Sequence, residues 1–143
     1  MKHYLSISAI DDLPKWVVDA RGLKANPTGD KNLGEGKTLC LLFFNNSLRT
    51  RLSTQKAAMN LGMEVMVMNF GSEGWQLEFE DGVVMDQGKS EHIKEAAKVI
   101  SQYADIIGIR TFPSLTDKQK DYADFILNKF IDYKLNADFT LST

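Results

Sequence analysis

The chain has 143 residues, enough for one domain of ordinary size, with 43% apolar and 25% charged residues. That composition excludes a disordered, collagen-like or low-complexity polymer. The net charge of −2 gives no basic surplus, so nothing argues for a nucleic acid or an anionic membrane as partner.

Leu13, Trp16, Val17, Ala20 and Leu23 recur at helical spacing, with Asp11 or Asp12 as N-cap and Pro14 in the first turn. Residues 26–36 hold Pro27, Gly29, Gly34 and Gly36 and read as loop. Residues 38–44, TLCLLFF, form a short apolar run between turn signals, which predicts a strand buried on both faces. The run is far shorter than the roughly 20 residues of a membrane span. The first residues lack an apolar stretch of signal-peptide length. A lone cysteine, Cys40, forms no internal disulfide, so the chain reads as cytoplasmic.

Asn45, Asn46 and Ser47 make a polar break before a helix predicted over 48–61, with Leu52, Lys56 and Met59 near one stripe and Gly62 ending it in the left-handed conformation. Residues 65–69 read as a second strand and 70–82 as irregular, with an exposed-looking Trp75. A helix over 91–103 turns Ile93, Ala96, Ala97 and Ile100 inward, and 105–110 is a third strand. Pro113 breaks the chain, Thr116 can cap, and 117–130 forms a last helix. This alternation predicts a three-layer α-β-α domain around a parallel central sheet. Ligands of such sheets sit beyond the carboxyl ends of the strands, here after residues 44, 69 and 109.

The first of these places carries the most chemistry. A strand ends, a polar turn follows, and a helix starts with free backbone N–H groups beside Ser47, Arg49, Thr50 and Arg51. The helix end alone stabilises an anion by about 0.3–1 kcal/mol, whereas one charge-assisted hydrogen bond contributes roughly 1.5–3 kcal/mol. The arginines therefore decide whether a phosphate dianion is held. The same residues also read as an ordinary helix start with surface arginines. Arg110, ending the third strand, would lie beside this helix start if the two strands are neighbours.

Other features carry less. Gly34–Glu35–Gly36–Lys37–Thr38 resembles part of a P-loop, but the required earlier glycine is Lys31, and the segment precedes a strand instead of following one. Cys40 reads as a core filler and His92 as a surface residue. Asp81, Asp86 and Glu91 surround a loop, and nothing pairs them as acid and base. No His, Cys or carboxylate spacing suits a metal.

Ser47-Leu48-Arg49-Thr50-Arg51, preceded by Phe43-Phe44-Asn45 and followed by Leu52-Ser53, resembles the Ser-Thr-Arg-Thr-Arg motif of the aspartate and ornithine carbamoyltransferases. SLRTRLSTQKAAMNLGM, the Trp75 loop, VVMDQGKSEHIKEA and DIIGIRTF resemble the branch acting on N-acetyl- or N-succinylornithine. The resemblance implies a carbamoyl-phosphate-binding domain over 1–133; the expected departures from the family are a divergent tail over 134–143 and the absence of its second, amino-acid-binding domain. It implies that Ser47, Leu48, Arg49 and Thr50 bind the phosphate, with Thr50 near the carbamoyl oxygen, and that Arg110 contacts carbamoyl phosphate. Trp75 would reach the neighbouring site of a homotrimer, and Ser90 lies where the branch sorts acetyl from succinyl substrates.

The implied reaction is attack of the ornithine amine on the carbamoyl carbon with departure of phosphate. Arginine and hydroxyl donors stabilise the developing charge, and no cofactor is needed. The His-Pro-x-Gln segment of the family is missing: His3 and His92 are followed by Tyr4 and Ile93. The expectation is therefore a shortened carbamoyltransferase of arginine biosynthesis, inactive alone. The alternative is a non-catalytic carbamoyl-phosphate-binding or assembly fragment.

Overall fold

A computed structural model describes residues 4–70, 76–82, 88–89, 91–112, 116–119 and 124–135. A short 3-10 turn, Ile7–Ala9, precedes helix α1, Leu13–Ala25. Asp12 caps α1 by accepting from the Lys15 N–H at 2.9 Å, and Pro14 stands in the first turn, as the sequence predicts. Then come β1, Thr38–Phe43; α2, Leu48–Asn60; and β2, Glu64–Asn69. Two short strands, β3 (Leu77–Glu78) and β4 (Glu91–His92), lead into α3, Ile93–Tyr103. The chain continues through β5, Ile106–Arg110, and α4, Phe125–Leu135.

β1, β2 and β5 form one parallel sheet in the order β2-β1-β5. The central strand β1 separates two cores by the alternation of its side chains. Cys40 and Leu42 pack with Phe70, Leu77, Ile93, Ala96, Ala97, Ile100 and Phe130, on the side covered by α3 and α4. Leu39, Leu41 and Phe43 pack with Ala58 of α2 on the other side. The α-β-α layering and the strand buried on both faces are thus as expected, and the inner face of α3 is the predicted one.

Spacing left open which way two helical stripes face, and some element bounds need correction. The stripe of Leu52, Lys56 and Met59 faces outward, with Leu52 58% and Met59 62% exposed. The side of α2 turned to the sheet runs through Arg51, Thr54, Gln55 and Ala58, one residue away around the helix. Only Ala58 is fully buried there, and its small side chain lets the helix lie close to β1. The stripe on α1 (Leu13, Trp16, Val17, Leu23) is likewise exposed. Residues 77–78, expected to be irregular, pair with 91–92, so the helix begins at Ile93 instead of Glu91. The final helix is not continuous over 117–130. Residues 118–119 are helical, Asp124 takes a left-handed φ of 45°, and α4 starts after it and runs to Leu135.

Gly62 ends α2 as predicted, with φ of 82°. Its N–H donates to the Met59 carbonyl at 3.1 Å, and the Met63 N–H donates to the Ala58 carbonyl at 3.0 Å, the bond pair of a Schellman motif. The P-loop-like segment is strand entry. The Lys37 ammonium pairs with the Asp105 carboxylate at 3.0 Å, and the same carboxylate accepts from the Thr38 N–H at 2.9 Å. These contacts fix the amino ends of β1 and β5, roughly 17 Å of strand rise from the carboxyl ends.

Glu78 is 8% exposed. Its carboxylate accepts from the N–H groups of Phe79 (2.7 Å) and Glu80 (3.0 Å) and from the Lys89 ammonium (2.7 Å). The Glu80 N–H, the Lys89 ammonium and the Phe79 N–H together hold its carboxyl at about 2, below the ordinary 4.5. Because the folded-state value lies below the unfolded one, its stabilisation is complete above pH 4.5 and is lost as pH falls from there through about 2. The urea midpoint of the protein is expected to drop over this acid window, and Glu78→Gln to flatten the drop. An equal slope in both proteins would refute the assignment.

Candidate functional site

The carboxyl end of β1 and the amino end of α2 meet at residues 44–47. Ser47 is extended, with φ of −154°, and its hydroxyl accepts from the Thr50 N–H at 3.3 Å as the N-cap of α2. The first helical bond runs from the Arg51 N–H to the Ser47 carbonyl at 3.1 Å. The N–H groups of Leu48 and Arg49, ahead of it in the first turn, have no carbonyl within the helix to reach. No acidic residue lies in that turn. Leu48 and Arg49 are exposed, and Ser47 and Thr50 are half-buried.

Parallel pairing of β1 with β5 sets Phe43 opposite Arg110, so the two strands are neighbours and end together. Arg110 then reaches α2: its Nη1 donates to Thr50 Oγ1 at 3.0 Å. Its Nε is buried and has no hydrogen-bond partner among the described residues. The guanidinium carbon of Arg110 lies over the Phe112 ring, 4.3 Å from the centroid. One small region thus holds a hydroxyl cap, free helix amides and an arginine with a spare donor.

Ser47, Leu48, Arg49, Thr50 and Arg110 are therefore brought together. Trp75 and Ser90 lie outside the described residues. Cys40 is buried, as read, and burial pushes its thiol up. His92 is not a simple surface residue. It is the half-buried N-cap of α3: its Nδ1 accepts from the Lys94 N–H at 3.1 Å, which leaves Nε2–H to donate to the Glu80 carbonyl at 3.1 Å. Asp81 does have partners, the Lys129 ammonium and the Tyr133 hydroxyl, and Lys129 holds its carboxyl below the usual range.

Two contributors were not visible in the sequence. Phe112 stacks on Arg110, and Asn45 Oδ1 accepts from the Phe112 N–H at 2.7 Å. The residue types gave a faint signal, an Asn just past one strand and an aromatic two residues past another. A groove of about 170 Å³ between β2 and α3, lined by Cys40, Met66, Met68, Val99 and Tyr103, is apolar and carries no basic group. It does not suit an anion. Among the described residues no group of His, Cys, Asp or Glu could hold a metal ion, and no helix is long and apolar enough to cross a membrane.

Residues 2–132 match the family described as aspartate/ornithine carbamoyltransferase, carbamoyl-P binding domain. The chain is 45% identical over 141 residues to the N-succinylornithine carbamoyltransferase of Bacteroides thetaiotaomicron, covering 99% of this chain and 44% of that protein. It is 38% identical over 135 residues to the N-acetylornithine carbamoyltransferase of Xylella fastidiosa, covering 93% and 40%. A crystal structure of an N-acetyl-L-ornithine transcarbamylase mutant complexed with carbamyl phosphate and N-succinyl-L-norvaline superposes with a TM-score of 0.83 at 38% identity, covering 93% of this chain and 40% of that one. The chain spans less than half the length of these relatives. A match over nearly every residue, with the strand–turn–helix and its arginine partner in place, means that this chain belongs to the aspartate/ornithine carbamoyltransferase family, by way of its carbamoyl-phosphate-binding domain.

Proposed function

We propose that residues 1–133 bind carbamoyl phosphate as one half of a carbamoyltransferase that acts on N-acetyl- or N-succinylornithine in arginine biosynthesis. The observation that carries this reading is the Arg110–Thr50 bond, which sets a guanidinium against the first turn of α2. The N–H groups of Leu48 and Arg49 and the Arg49 side chain hold the phosphate, and Ser47 keeps the turn in shape as its cap. Arg110 supplies a fixed positive charge, and its buried Nε is a donor that an anion oxygen would satisfy. An unsatisfied buried donor costs about 1–3 kcal/mol, so ligand binding recovers part of that cost.

Carbamoyl transfer places growing negative charge on the carbonyl oxygen and on the departing phosphate. Arg110 and the Thr50 hydroxyl are already bonded to each other, so they need little rearrangement as that charge grows. Trp75 completes the site of a neighbouring copy in a homotrimer, Ser90 bears on the acyl group of the substrate, and the enzyme works in the cytoplasm. The family relatives named for acetyl- and succinylornithine support this substrate class. No residue here takes the role of the family's His-Pro-x-Gln segment, so the 143 residues alone bind the first substrate and turn nothing over.

Calorimetric titration of the purified chain with carbamoyl phosphate tests the reading. Saturable binding that Arg49→Ala abolishes is the expected result, together with no citrulline-type product from the chain alone. A well-folded chain that binds nothing, or whose Arg49→Ala variant binds as well as the parent, contradicts it.

A further inference from the structure

Arginine side chains have several rotatable bonds, and a phosphate site gains affinity when the guanidinium is held in place before the anion arrives. A carboxylate could hold Arg110, but it would neutralise the charge and use the donors the anion needs. Among the described residues no carboxylate pairs with Arg110. The Phe112 ring, 4.3 Å from the guanidinium carbon, does the holding differently. It attracts the cation through its quadrupole and takes up none of its N–H donors, so Nη1 stays with Thr50 Oγ1 and the buried Nε has no partner among the described residues.

Phe112 has no other evident task. It is 54% exposed and belongs to neither core cluster. Its place is nevertheless fixed. The Phe44 N–H donates to the Arg110 carbonyl at 3.0 Å, which carries the β1–β5 pairing one residue past Phe43. Beyond that point the Asn45 side chain takes over, accepting from the Phe112 N–H at 2.7 Å. The polar break after β1 therefore starts the phosphate helix and also ties down the segment that follows Arg110.

We propose that Phe112, tethered by the Asn45 side chain, is a positioning residue that stacks on Arg110 and holds its guanidinium toward the anion at the start of α2. This rests on the reading of that helix start as a phosphate site. It assigns the two residues a role in affinity for the first substrate and none in the bond-making step.

The test is calorimetric titration of the 143-residue chain and its variants with carbamoyl phosphate, with thermal melts alongside. Phe112→Leu keeps an apolar side chain of similar reach and removes the ring. It is expected to weaken binding about three- to fivefold, with an unchanged melt because the residue is exposed. Phe112→Tyr keeps the ring and is expected to bind within about twofold of the parent. Asn45→Ala is expected to weaken binding like Phe112→Leu. A Phe112→Leu variant that binds like the parent overturns the inference, and so do Leu and Tyr variants that are equally weak. A parent chain that binds no carbamoyl phosphate overturns the site reading itself, a different outcome visible before any variant is made.

Discussion

Replacing Arg110 with alanine is expected to weaken carbamoyl phosphate binding by roughly ten- to a hundredfold while leaving the melting temperature close to that of the parent. The two halves of this expectation come from different contacts. Each charge-assisted hydrogen bond from an arginine is worth about 1.5–3 kcal/mol, and 1.4 kcal/mol is a factor of ten in affinity. Among the described residues, by contrast, the Arg110 side chain donates to Thr50 Oγ1, and its buried Nε has no partner. Its removal costs the fold little, since a lost bond is set against a relieved buried donor. Arg110→Lys should fall between parent and alanine, because an ammonium restores charge without the planar fork or the stack on Phe112. Titration and a thermal melt on the three proteins check this. Undiminished binding in Arg110→Ala would remove Arg110 from the site.

The largest loss of stability from a single methyl group is expected at Gly62. Its φ of 82° is left-handed, and a Cβ there would stand 1.9 Å from the Lys31 carbonyl oxygen. That contact is with backbone, so rotation of a side chain cannot relieve it. The loop 26–36 is packed against the same turn, with the Gly34 N–H donating to the Leu61 carbonyl at 2.8 Å. Gly62→Ala combines left-handed strain with displacement of this loop, for about 2–4 kcal/mol. In a domain of this size that lowers the melting temperature by roughly 7–13 °C. An unchanged melt would mean that the turn can adopt another conformation. Since Gly62 closes the helix whose other end is the proposed phosphate site, a weakened α2 should also bind less tightly.

What the sequence revealed follows from the range of each signal. The cap at Asp12, the stop at Gly62 and the buried run of β1 are local, and all three are found where the residues indicate. The cradle at 47–50 was legible because strand, polar turn and helix start lie in one stretch. The inner face of α2 was not, because periodicity ranks residues by hydropathy and the sheet here accepts a half-polar side with Ala58 at its centre. The α1 stripe shows a related limit. Spacing says which residues share a face, while burial depends on a partner: Leu13, Trp16 and Val17 stay exposed, with the Tyr4 ring 5.7 Å from that of Trp16.

Two-residue strands such as β3 and β4 are too short to leave a period. The break at Asp124 rests on one aspartate in the left-handed region, which Asp tolerates better than most residues. The Asn45–Phe112 tether joins residues 67 apart in sequence, and only strand register brings them together. The roles given to Trp75 and Ser90 rest on the family resemblance.

The central claim is that the first turn of α2, with Arg110 behind it, is a phosphate cradle. Amide and guanidinium NMR spectra of the isotopically labelled chain, recorded during addition of carbamoyl phosphate, test it most directly. The largest shifts are expected on the amides of Leu48, Arg49 and Thr50 and on the Arg110 Nε–H, with saturation along one binding curve. Saturable shifts centred elsewhere, or none at these four groups at concentrations that saturate the calorimetric signal, would contradict it.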